Sequence, residues 1–258
     1  MNIIDTHAHL DQLDHLDEDL HNAVQAGVVG VVAVSIGLDS CRRNLEIRRT
    51  RQHPLIYVGM GVHPSEADKE EAQECLSLIH ENRDALTAIG EIGLDFWYKN
   101  VRKNEEKKQE QRRVFRLFLE AARDLSVPAV VHSRGAWQEC FETVKDVGVK
   151  KAVFHWYSGP VDVLDDLLAE GYYVSASPSL AYSPQSRAAM ERAPIERTLI
   201  ETDCPVYYKD PQTGEGFQAQ PRDVVRTLKI YAQLKGLEEK DALERLNRNA
   251  KEFFGIKD

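Results

Sequence analysis

Eight residues of two metal-seeking types, histidine and carboxylate, recur at the ends of apolar runs in this chain, and the first pair sets the theme. In Ile3-Ile4-Asp5-Thr6-His7-Ala8-His9 two histidines are spaced i, i+2 behind an apolar pair. Side chains alternate faces along a strand, so both imidazoles point the same way and make half of a metal site. Further polar residues terminate later apolar runs: His63, Glu91, His132, His155, Glu201 and Asp203. Four of the histidines and two carboxylates are too many ligands for one tetrahedral ion but suit two divalent cations that share a carboxylate. Adjacent cations of this kind activate water and stabilise a leaving oxygen in an in-line displacement.

Such residues need a scaffold that gathers strand ends. A short run rich in Val and Ile followed by an amphipathic segment recurs about every 30 residues, the pattern of β/α units on a parallel sheet. The expected strands are 2–7, 29–36, 55–61, 87–91, 127–132, 151–155, 172–176 and 197–201. Most lack polar alternation, as strands covered on both faces do. Between them, Leu16, Leu20, Ala23 and Val24 share a helix face ahead of Gly27. Val114, Phe115, Phe118, Leu119, Ala122 and Leu125 mark the longest helix, and Leu243, Leu246, Ala250 and Phe253 a closing one. Eight units predict a TIM (β/α)8 barrel, one domain over residues 1–258, with the chemistry at the C-terminal strand ends. His15, His21, His53 and His80 fall in helices or turns and are expected on the surface.

Composition narrows the function. The chain has 258 residues, 42% hydrophobic and 29% charged, ordinary for a soluble enzyme. No apolar run reaches membrane-spanning length, and the start has no basic-then-apolar leader, so a cytoplasmic protein with no membrane partner is expected. Cys41, Cys75, Cys140 and Cys204 are scattered and read as free thiols. A net charge of -9 argues against sequence-independent coating of duplex while leaving phosphate binding at a metal centre open.

IIDTHAHLD, VGMGVHP, AIGEIGLD, VVHSRGA, FHWYSG and LIETDCP together resemble the successive motifs of the TatD family of metal-dependent deoxyribonucleases, in that order and over nearly the whole chain. The resemblance implies a barrel hydrolase of the amidohydrolase-like superfamily that binds two divalent metals (Mg, Mn or Zn) and cleaves phosphodiesters of DNA, commonly from a 3′ end. It also implies the ligand roles: His7, His9 and Asp203 on one metal, His132 and His155 on the other, Glu91 bridging, with His63 and Glu201 orienting ligands or touching substrate. Asp203 is expected to take the proton of the attacking water. For Asp5 and Asp11, helix capping or ligand orientation and a direct role in the site are equally open. Two departures from the family pattern stand out: the loop from Pro205 to Pro221, with KDPQTGEGFQAQP, and HWYSG after the sixth strand.

Substrate grip is expected from loops. Arg134, two residues beyond His132, suits a bidentate phosphate clamp or a surface ion pair. Phe96, Trp97 and Tyr98 after the fourth strand either stack a base or pack their loop. Lys99 to Arg113 reads as a solvated helix face. A carbon-centred hydrolase of the same superfamily is the alternative enzyme, and a barrel with structural metals the non-enzymatic one.

Overall fold

The apolar runs form one parallel eight-stranded sheet whose order follows the chain: β1 (Ile3–Ala8), β2 (Val28–Val34), β3 (Leu55–Met60), β4 (Leu86–Gly93), β5 (Ala129–His132), β6 (Ala152–Phe154), β7 (Tyr173–Ala176) and β8 (Thr198–Ile200). The structure is a computed structural model that describes residues 2–210 and 213–257. Pro211 and Gln212 of the Pro205–Pro221 loop, with Met1 and Asp258, lie outside the described residues. The two sheet edges meet just beyond β8. Ala8 bridges Cys204, His9 N donates to Cys204 O at 2.8 Å, and Asp203 N donates to His7 O at 2.9 Å. The result is a nearly closed TIM barrel.

Helices α1 (Leu16–Gln25), α2 (Leu38–Thr50), α3 (Lys69–Glu81), α4 (Glu105–Leu125), α5 (Trp137–Val147), α6 (Val161–Ala169), α7 (Pro184–Arg192) and α8 (Val224–Lys235) follow the strands, and α9 (Glu239–Phe254) comes last. In α4 the Asn104 side chain accepts the Lys107 N–H at 3.1 Å, which satisfies one of the donors a helix start leaves open. Val114, Phe115, Phe118, Leu119 and Ala122 of α4 are buried against the sheet as their spacing predicts, and Leu125 packs on that cluster. Removing a ring as fully enclosed as Phe118 costs about 3–5 kcal/mol. Val24 departs from expectation: it is exposed, whereas Leu16, Leu20 and Ala23 of the same helix are buried. The four surface histidines are exposed as expected. No helix among the described residues is long and apolar enough to cross a membrane.

The core has two layers. Side chains such as Phe118, Val131, Phe154 and Ile200 fill the space between sheet and helices. Ile4, Val32, Val34, Ala88, Val130, Val153, Tyr173 and Leu199 fill the lumen, plugged at one end by Phe253 and Phe254 of α9. The lumen floor leaves the opposite rim, where the strands end, as the place for polar side chains.

Strict alternation carries Val130 to His132, Val153 to His155 and Leu199 to Glu201 on the lumen side. It does not carry Ile4 to His7 or Ala88 to Glu91, which are three residues apart. Both strands contain register shifts at those places, between Asp5 and Ala8 on β1 and between Ile89 and Ile92 against β5. Each shift reverses the facing of the residues beyond it, so Ala8 and Ile92 pack outward while His7 and Glu91 turn into the rim. The Gly90–Glu91 peptide is cis.

One feature of the fold was not expected. The Pro205–Pro221 loop contains a small antiparallel hairpin, β9 (Tyr207–Lys209) paired with β10 (Gly216–Gln218). Tyr208 anchors it: its ring is buried, and its hydroxyl donates to Thr202 O at 2.9 Å. The three-residue strands are too short to carry an alternating signal.

Candidate metal centre

Six of the expected ligands converge at the rim. Glu91 is nearly fully buried and splits its carboxylate between two groups. Its Oε2 lies 3.3 Å from both His7 Nε2 and His9 Nε2, and Asp203 Oδ1 lies 3.3 and 3.2 Å from the same two nitrogens. Its Oε1 lies 2.7 Å from His132 Nδ1 and 2.7 Å from His155 Nε2. The halves touch through His7 and His155, whose rings stack at 4.1 Å and 10°.

Behind these donors stand groups that fix which nitrogen faces inward. Asp95 is fully buried, and its Oδ2 lies 3.0 Å from His132 Nε2, so His132 carries its proton there and turns the Nδ1 lone pair to the centre. Glu201 Oε1 stands 3.4 Å from His155 Nδ1, and Glu201 is itself held by the Ser175 hydroxyl at 2.5 Å and the Trp156 N–H at 3.0 Å. Asp5 caps no helix. Its Oδ1 accepts from His7 N at 3.3 Å and Thr202 N at 3.0 Å, and its Oδ2 accepts from the Thr202 hydroxyl at 2.6 Å, which ties β1 to the end of β8. Complete burial lifts its carboxyl well above the ordinary range despite those bonds.

His63 is a different case. Its Nε2 lies 3.4 Å from His132 Nδ1 and 3.7 Å from Glu91 Oε1, close enough to be counted with the donors. But the Ser65 N–H donates to His63 Nδ1 at 3.0 Å, and burial first of all pulls the imidazole down to about 3. A neutral ring that accepts at Nδ1 carries its hydrogen on Nε2, so His63 presents a donor, not a lone pair.

The electrostatics ask for positive charge. Burial would raise the Glu91 carboxyl, yet His155, His63 and His132 outweigh it and hold it well below the carboxylate range. His7 and His9 do the same for Asp203. Burial would lower His9, but Asp203 and Glu91 push it up to about 10, and His155 is likewise driven up by Glu91 and Glu201. His7 Nε2 is buried among these groups without a hydrogen bond of its own. Convergent carboxylates and imidazole lone pairs with an orphaned nitrogen between them fit bound divalent cations.

Above the centre opens a cleft of about 880 Å³. Arg134 lines it, with Nε and Nη2 each 2.7 Å from Asp95 Oδ2 and its guanidinium 4.9 Å over the Tyr98 ring. Trp97 and Tyr98 line it too. Phe96 does not: it packs on the core, with Lys108 and Arg112 each 5.2 Å from its ring. Asp95, Ser65, Trp137 and Trp156 were not singled out from sequence. For Asp95 a signal existed, since it stands four residues past Glu91 in AIGEIGLD.

A family model described as TatD related DNase matches residues 4–255. The chain is 30% identical over 256 residues to an uncharacterized metal-dependent hydrolase of Methanocaldococcus jannaschii, covering 97% of this chain and 96% of that protein. It is 28% identical over 264 residues to Deoxyribonuclease TATDN3 of Homo sapiens, covering 98% and 94%. Among solved structures, the TatD homolog YJJV from Escherichia coli K12 shares the fold with a TM-score of 0.89 at 21% identity, covering 99% of this chain and 98% of that one.

Proposed function

Because the chain belongs to the TatD family, we propose that it is a metal-dependent phosphodiesterase that hydrolyses DNA from its ends with two divalent cations sharing Glu91. The deoxyribonuclease and metal-dependent hydrolase names of its relatives support the reaction class. The observation that carries the two-cation reading is the divided Glu91 carboxylate, one oxygen toward His7 and His9 and the other toward His132 and His155. Mg²⁺, Mn²⁺ or Zn²⁺ bound there would polarise a phosphoryl oxygen, lower the pKa of water and stabilise the leaving oxygen.

The remaining roles belong to the chain. His7, His9 and Asp203 would hold one cation and His132 and His155 the other. Asp203 lines the cleft with a carboxyl held in its basic form, so it accepts the proton of the attacking water. His63 donates its Nε2–H to a phosphate oxygen. Arg134 spends two N–H groups on Asp95 and offers the rest to a phosphate. The apolar lumen floor closes the cleft from below, which supports entry of a chain end over passage of a continuous duplex.

The test is digestion of end-labelled single- and double-stranded DNA after exhaustive chelation and readdition of Mg²⁺, Mn²⁺, Zn²⁺ or Ca²⁺, beside a lactone and ester panel. Loss on chelation, recovery that is poorest with Ca²⁺, and shortening from the 3′ end are expected. Full activity without metal, or turnover confined to the lactones and esters, overturns the reading.

A further inference from the structure

All three tryptophans of the chain, Trp97, Trp137 and Trp156, line the cleft above the metal centre. Trp97 comes from the loop after β4 and Trp137 opens α5, and their rings meet edge to face at 5.7 Å and 90°. Trp97 is 61% exposed. Exposed indole at the rim of a cleft above convergent ligands is surface reserved for a ligand rather than for folding.

The wall is shaped around both rings. Gly135 has φ +73, and a Cβ there would come within 2.3 Å of Trp97 Cδ1. A Cβ on Gly159 would come within 2.6 Å of Trp137 Cδ1 and Cγ. Backbone therefore lies directly against each indole, which no other residue type permits at Gly135 without strain. The platform is also keyed to the chemistry. Asp95 Oδ1 accepts the backbone N–H of Trp97 at 2.9 Å while its Oδ2 holds His132 and Arg134. One buried carboxylate thus fixes a ligand of the metal centre, the cation beside it and the start of the aromatic platform in one arrangement.

We propose that Trp97, braced by Trp137, is a base-stacking subsite for the nucleotide whose phosphate lies at Arg134. The proposal rests on the DNA reading above and goes beyond it by assigning where a nucleobase sits. A flat indole binds any base through its π face, so the subsite selects for the presence of a base and for stacking strength, not for hydrogen-bond pattern.

The experiment uses the metal-loaded enzyme and oligonucleotides that carry an abasic residue at each of the last three positions in turn. For one position the wild type is expected to show a KM on the order of 10- to 100-fold higher than with the natural end, the range of one base–aromatic stack, with kcat little changed. That gap should collapse in Trp97→Ala and largely survive in Trp97→Phe. A second readout needs no turnover. Natural oligothymidylate should quench tryptophan fluorescence in metal-loaded Asp203→Asn, the abasic oligomer should not, and Trp97→Phe in that background should remove most of the quenching. Equal treatment of abasic and natural ends by the wild type, or a Trp97→Ala defect of the same size on both, overturns the subsite. Wild-type turnover of esters with none on any DNA would instead remove the DNA reading, and the subsite with it.

Discussion

The two halves of the candidate metal centre are built by different means. On the β5–β6 side the strands are regular, and each ligating imidazole has a carboxylate behind it, Asp95 for His132 and Glu201 for His155. Asp95–His132 is the one hydrogen-bonded brace among the described residues, since His155 Nδ1 makes no hydrogen bond and its Glu201 neighbour stands at ion-pair distance. On the β1–β8 side Nδ1 of His7 and of His9, among the described residues, makes no hydrogen bond either. There the backbone does the orienting: a register shift in β1, the Asp5 link to Thr202, and a left-handed Asp203 at φ +50, a conformation Asp tolerates better than most residues. One half is held by side-chain partners and the other by the barrel seam, so they should fail differently.

Glu91 spans both halves, and its loss should have the largest effect. With two cations bound as proposed, Glu91→Ala would leave them to repel one another with one carboxylate fewer, so metal content should fall to at most one ion per chain and kcat by more than about 1,000-fold. Mass-spectrometric metal analysis beside kcat checks this, with and without bicarbonate, which should make no difference. Two tightly held ions in the variant would show that Glu91 is not the bridge.

Asp203→Asn should come second, with kcat down by about 100- to 10,000-fold and thermal unfolding little changed, because an amide cannot accept the water's proton. Near-normal turnover would remove Asp203 from that role. The contrast between halves is sharpest in the next pair. Asp95→Asn should weaken the affinity of one of the two metals by about 10- to 100-fold and leave the other unchanged. Asp5→Ala should instead appear in the melting curve, at about 1–3 kcal/mol, since it leaves buried Thr202 donors unpaired. A metal defect from Asp5→Ala equal to that of Asp95→Asn would erase the distinction.

Proton linkage gives a smaller, signed effect. Without metal His9 is raised to about 10 from 6.5, so its contribution to apo stability is complete below pH 6.5 and is lost as pH rises through about 10. A cation needs the same nitrogen unprotonated, so its uptake at pH 7 should release a proton and its affinity should rise by up to about tenfold per pH unit. Calorimetric titration in buffers of different ionisation enthalpy at pH 6, 7 and 8 measures this, and an affinity flat over that interval would sink it. Arg134→Ala should cost least, about tenfold in kcat/KM on DNA, the low end for bonds to charged groups because the guanidinium is 43% exposed. A neutral ester should be nearly unaffected, and equal losses on both substrates would mean a damaged centre.

What the sequence determined by itself was the barrel and the ligand types. Buried parallel strands are short apolar runs whose ends are polar, and that signal survives without knowledge of neighbours, so all eight strands were legible to within a few residues. His132, His155 and Glu201 could be placed from alternation alone. The inward turn of His7 and Glu91 could not, because strict period-2 counting from Ile4 and Ala88 sends both outward, and only the register shifts against neighbouring strands reverse them. Trp97 was a stacking candidate from sequence, but the place of Asp95 and the pairing of Trp97 with Trp137 were decided by tertiary structure. Their partners, His132, Arg134, Gly135 and Gly159, lie on loops and strands far away in the chain. A hydrogen bond or ring contact between such segments exists only once the sheet has brought their ends to one rim.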